Sequence, residues 1–147
     1  MGRKKRRAPP PTFMTALPHK GFVQMFNDQL NSPAFISLSN VAKVMYLILR
    51  QEFKGDYTGN NIICPYNTFV EKGISKNSIS ENLKMLEAMG FITWEHGGLY
   101  HQPNVYHFTN DWQKIRTMEE AKLIKEQLAE EKKQRKQARE QLADEVG

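Results

Sequence analysis

The sequence predicts a mainly α fold with a small β-sheet (α+β), and three observations lead there. Gly73 to Ile92 reads as a tight turn, an amphipathic helix, a glycine stop and the start of a strand. Two segments rich in β-branched and aromatic residues, Phe91–Glu95 and Val105–Thr109, flank the turn signal Gly97-Gly98. Two further stretches, Ser39–Phe53 and Glu119–Glu145, contain neither glycine nor proline and are rich in helix formers. A chain of 147 residues suits one domain with appendages. The expected division is an arm over 1–19, a domain over 20–112 and a charged C-terminal helix over 113–147.

In chain order, the first seven residues hold five basic groups, Arg3, Lys4, Lys5, Arg6 and Arg7, and Pro9-Pro10-Pro11 follows as a stiff spacer. This arm is expected to be disordered. A cationic segment of this kind can lie along phosphates or enter a minor groove. The same string also suits nuclear import, arginine-rich RNA binding, or a solubilising terminus with no specific partner. Within Ser39–Phe53, the residues Val41, Val44, Met45, Ile48 and Leu49 form an apolar stripe that Leu47 widens. That width marks a scaffold helix with no site. Asp56–Asn61 is a loop, and Ile62, Ile63 and Cys64 suit a short strand.

Pro65 to Lys72 is long enough for a short helix, with Pro65 at its start and Phe69 and Val70 on its buried side. Gly73 permits a sharp turn into the next helix. There Ile79, Leu83, Leu86 and Met89 fall at i, i+4, i+7 and i+10, one face of a helix. Ser75 is placed to cap its start through the hydroxyl, and Gly90 to end it. The opposite face carries Lys76, Asn77, Ser80, Glu81, Lys84 and Glu87. Two helices joined by a tight turn and followed by a hairpin describe a winged helix-turn-helix, with the loop His96–Asn104 as the wing. In the C-terminal helix, Thr117 with Glu120 makes a capping box, and Asn110 with Gln113 offers an earlier one. Ala121, Ile124, Leu128, Ala138 and Leu142 approximate a heptad seam that Glu131 and Arg135 interrupt. A coiled-coil homodimer and a solvated single helix held by i,i+4 charge pairs both remain open.

The composition, 39% hydrophobic, suffices for a core, with polarity concentrated at the two ends. No apolar run approaches the roughly 18 residues of a membrane span. The basic N-terminus has no apolar stretch behind it, so no secretory signal is expected. Cys64 is the single cysteine and can form no intramolecular disulfide; in a strand it is expected to be an inert core residue. These features suit a cytoplasmic protein. Residues 8–117 hold nine basic and eight acidic groups and residues 118–147 seven and eight, so the formal +5 belongs to the arm. His19, His96, His101 and His107 form no metal-ligand pattern with Cys64. The chain carries no phosphate-cradling glycine loop and no nucleophile signature. Neither a cofactor nor catalysis is expected.

Several stretches carry a resemblance: Phe22-Val23-Gln24-Met25, Ser32-Pro33-Ala34-Phe35, Leu38-Ser39-Asn40-Val41-Ala42-Lys43, Tyr46-Leu47-Ile48-Leu49, and Gly73-Ile74-Ser75 through Gly90-Phe91-Ile92. Over Gly21 to Trp112 the chain resembles winged-helix proteins of bacterial plasmids, phages and integrative elements. The Leu-Ser-Asn-x-Ala-Lys-x-x-Tyr stretch is similar to the N-terminal domain of plasmid replication initiators from Gram-positive bacteria. The resemblance implies a first strand at Phe22–Phe26, double-stranded DNA binding, and an origin or operator as target. Two departures stand against it. Glu81 lies where such proteins often carry a basic residue, and the loop His96–Asn104 holds no Lys or Arg.

In a helix-turn-helix the first two turns of the second helix read the major groove. Lys76, Asn77, Ser78 and Glu81 are therefore the base-facing candidates, Asn77 for adenine, Lys76 for guanine or a phosphate, and Glu81 for cytosine. For Ser78 the plainer reading is a local helix contact. Backbone contacts would come from Lys84, from Tyr100, Gln102 and Asn104 of the loop, from the arm, and from Lys43 and Lys72; His96 or His101 could add charge at lower pH. Two functions follow. One is a sequence-specific DNA-binding protein of a mobile element, acting as regulator, replication factor or transfer-origin accessory. The other is an adaptor whose domain and long helix bind a protein partner, with only nonspecific nucleic-acid affinity through the arm.

Overall fold

A computed structural model describes residues 21–55, 59–97 and 103–146. In chain order the elements are α1 (Asn27–Leu30), α2 (Pro33–Ile36), α3 (Asn40–Glu52), β1 (Ile62–Ile63), α4 (Tyr66–Glu71), α5 (Lys76–Ala88), β2 (Ile92–Glu95), β3 (Val105–Phe108), a 3-10 turn (Asp111–Lys114) and α6 (Met118–Val146). The fold is mainly helical with one antiparallel sheet of three strands in the order β1-β3-β2. Ile92 faces Phe108 and Glu95 faces Val105 across the hairpin, while Ile62 faces Tyr106 at the other edge.

Phe22–Phe26, implied as a strand by the resemblance, is not one. The segment 21–26 has no regular structure and Phe22, Val23 and Phe26 are exposed. It runs beside α3 because the Arg50 guanidinium donates to the Gln24 carbonyl at 2.9 Å, and Gln29 donates to the Tyr46 hydroxyl at 2.8 Å. A strand needs a neighbour with unpaired backbone groups, and α3 offers none.

The stripe of α3 is rotated from expectation. Ala42, Met45, Tyr46, Ile48 and Leu49 are buried, whereas Val44 and Leu47 are exposed. Tyr46 carries the aromatic core: its ring lies 5.3 Å from Phe91 and 5.4 Å from Phe108, and burial raises its hydroxyl pKa. On α4, Phe69 is buried but Val70 is exposed. On α5, Ile79, Leu83, Leu86 and Met89 are all fully buried, as their spacing predicts.

Both glycine stops close the same hydrogen-bonded motif. After α4, Gly73 N–H donates to the Val70 carbonyl and Ile74 N–H to Phe69. After α5, Gly90 N–H donates to Glu87 and Phe91 N–H to Leu86. Ser75 does not cap α5 through its side chain. Its carbonyl instead accepts from the Ser78 hydroxyl at 2.8 Å. Ser39 does cap α3, accepting from Ala42 N–H at 3.0 Å. The Asn110 side chain makes no capping bond, and the chain there forms only the 3-10 turn. Thr117 caps α6, accepting from Glu120 N–H at 3.2 Å, while the Glu120 carboxylate accepts from Arg116 N–H.

Candidate nucleic-acid interface

The α5 helix has two faces because its apolar residues recur with the helical period. With Ile79, Leu83 and Leu86 turned to the core, Asn77, Glu81, Lys84 and Ala88 point the opposite way. That outward row is not open to solvent along its whole length. Helix α6 runs antiparallel across it, with Ile124 and Leu128 beside Lys84 and Ala88, and Lys136 and Arg139 beside Asn77. Ala121 anchors the start of α6 in the core, and Ile124 packs against its edge. The first half of the heptad seam is thus spent within the same chain, Ala121 in the core and Ile124 and Leu128 along α5. Leu142, further along, is exposed. Where Glu131 and Arg135 interrupt the seam, they line a cleft with Lys84 and Glu87.

The N-terminal end of the α5–α6 cleft concentrates charge. From α5 it is lined by Asn77, Ser80, Glu81 and Lys84. From α6 it is lined by Lys132, Arg135, Lys136 and Arg139. Five cations thus surround one carboxylate, and Glu81 pairs with Lys132 at 2.8 Å. The cleft holds ≈ 350 Å³, too little for a duplex to enter, but its four α6 cations are exposed at the rim. The four α6 cations had a signal in the sequence, the run Lys-Lys-Gln-Arg-Lys-Gln-Ala-Arg from Lys132 to Arg139. Near-neutral charge averaged over the whole tail concealed it.

The other candidates separate into three groups. Lys76 and Asn77 are exposed in the first turn of α5. Ser78 is occupied locally: its hydroxyl donates to Ser75, and its carbonyl accepts from the Asn82 amide at 2.7 Å. Lys43 sits over the Phe35 ring at 5.6 Å, and Lys72 donates to the Gln51 side chain, so both cations have partners within the fold. At the neck of the hairpin, the Asn104 side chain accepts from Gly97 N–H at 2.8 Å, and His96 stacks on Trp94. Burial raises the Tyr66 hydroxyl pKa, an effect that the Ser80 and Asn104 side chains oppose, which places this neck beside α4 and α5. Arg3, Lys4, Lys5, Arg6, Arg7, Tyr100, His101 and Gln102 lie outside the described residues.

Cys64 is fully buried, and burial with the nearby Glu52 charge pushes its thiol up to about 12. A thiol so protonated is a poor nucleophile. Among the described residues no group of three His, Cys, Asp or Glu side chains could hold a metal ion. No described helix is long and apolar enough to cross a membrane. No family model, curated protein or solved structure matches the chain.

Proposed function

We propose that this chain is a sequence-specific, double-stranded DNA-binding protein of a plasmid, phage or integrative element. In this reading α4, Gly73 and α5 are a helix-turn-helix, α5 is its recognition helix, and the β2–β3 hairpin is the wing. The observation that carries the proposal is the first turn of α5. Lys76 and Asn77 are exposed there, ahead of the apolar anchors of α6, and Asn77 lines a cleft rich in cations. An Asn amide can pair with both adenine edge groups, and a Lys ammonium reaches guanine or phosphate. The basic arm adds phosphate contacts that carry no sequence information.

One observation favours the adaptor reading. The outward row of α5 already packs against a helix, the kind of contact that a protein partner would make. Fluorescence anisotropy of Lys76→Ala/Asn77→Ala against duplex fragments from the protein's own locus separates the two. The DNA reading expects the preference for one fragment to fall about 10-fold or more, since a good bidentate contact is worth about 1–3 kcal/mol. Equal binding to all fragments by both wild type and variant would leave the adaptor.

A further inference from the structure

We propose that Lys132, Arg135, Lys136 and Arg139 form a phosphate-binding rail for duplex DNA, and that Glu81 occupies this rail in the free protein. The inference rests on the DNA-binding reading above and adds to it a surface outside the helix-turn-helix. The four residues fall at i, i+3, i+4 and i+7 and share one face of α6, which lines the cleft toward Asn77. From Lys132 to Arg139 the chain has five basic residues and no acidic one. That stretch spans about 10 Å of helix, over which one strand of a duplex presents about three charges.

Glu81 makes the only ion pair that holds this part of α6 to α5 among the described residues. Both members keep about half their surface in water, at 60% and 48% exposure, so the pair is weak and readily exchanged for another anion. In this arrangement the carboxylate holds the place of a phosphate. The rail has the chemistry of a duplex contact rather than of a single-strand or peptide site. Residues 129–141 contain no aromatic side chain on which a base could stack. They also offer no large apolar side chain to anchor a peptide.

The test uses full-length protein and a random-sequence duplex, with anisotropy titrations across roughly 50 to 200 mM salt. The variants are K132Q/R135Q/K136Q/R139Q, Glu81→Gln, and the arm with its five basic residues changed to Gln. Glutamine keeps the helix propensity of α6, and circular dichroism verifies it. The rail expects the quadruple variant to lose affinity equally for all sequences, with a salt slope shallower by about 3. It expects Glu81→Gln to bind the duplex about twofold to fivefold more tightly.

A quadruple variant that binds with wild-type affinity and slope overturns the rail. If Lys76→Ala/Asn77→Ala still loses fragment preference in that case, the DNA-binding reading survives. Binding that shows no fragment preference and disappears with the arm variant alone overturns both. Loss of binding to an oligoglutamate peptide with duplex binding unchanged assigns the cations to an acidic protein and also overturns the rail.

Discussion

A methyl group on Gly90 would lie 2.4 Å from the Trp112 backbone nitrogen and 2.5 Å from the Asp111 carbonyl carbon, at a φ of +82°. Gly73 has a similar φ of +93° but nothing within 4 Å of the same methyl. The two positions therefore isolate backbone strain from collision. Gly73→Ala should cost about 1–2 kcal/mol, the strain of the left-handed region alone. Gly90→Ala should cost clearly more, because the backbone after β3 must also retreat and Trp112 N–H would lose its 3.0 Å bond to the Gly90 carbonyl. Urea denaturation of both variants measures the difference, and equal losses would refute the collision. Gly90 was readable as a helix stop from its place after an apolar period, and Gly73 as a sharp turn between two helices. The approach of Asp111 and Trp112 was not, because it joins residues about twenty positions apart through the fold.

The elements α3 and α5 are tied by a polar link inside an apolar interface. Ser39 Oγ caps α3 and also donates to the Asn82 side chain, whose amide donates to the Ser78 carbonyl on α5. Ser39→Ala removes the cap, worth about 1 kcal/mol, and leaves the Asn82 carbonyl without its donor, worth roughly 1–3 kcal/mol. A total loss near 3 kcal/mol is expected by urea denaturation, against about 1 kcal/mol if the cap alone matters. Sequence periodicity predicted that both helices exist and which residues of α5 are buried. It identified Ser39 as the start of a helix but put Asn82 on neither face of α5, since an amide beside a buried stripe has no period of its own. Val44, Leu47 and Val70 were misplaced for a related reason. An apolar residue at the margin of a stripe is buried only if a neighbouring element reaches it.

At the scale of the whole molecule, the long tail helix was legible as a helix but its partner was not. A heptad seam defines a face, and a face can meet a second copy or the same chain. Here Ala121 is buried in the core and Ile124 packs against it, while beyond Lys132 the contact with α5 is polar. Hydrogen exchange should report that division. Amides in the first half of α6 should exchange more slowly than those beyond Lys132, because local opening there must expose apolar contacts. Uniform protection along α6 would mean that its far half is held by something more than the Glu81–Lys132 pair.

The antiparallel course of α5 and α6 has an electrical consequence. The positive pole of the α5 peptide dipole lies at the end of the cleft where Lys136 and Arg139 stand. The opposite end of α6 begins with Glu119 and Glu120. The α6 dipole runs the other way and offsets that of α5, so the side chains set up the potential gradient along the cleft. A polyanion in dilute salt would be turned toward the Asn77 end while still a Debye length away, about 10 Å at 0.1 M. Orientation would then precede contact, with the first turn of α5 leading.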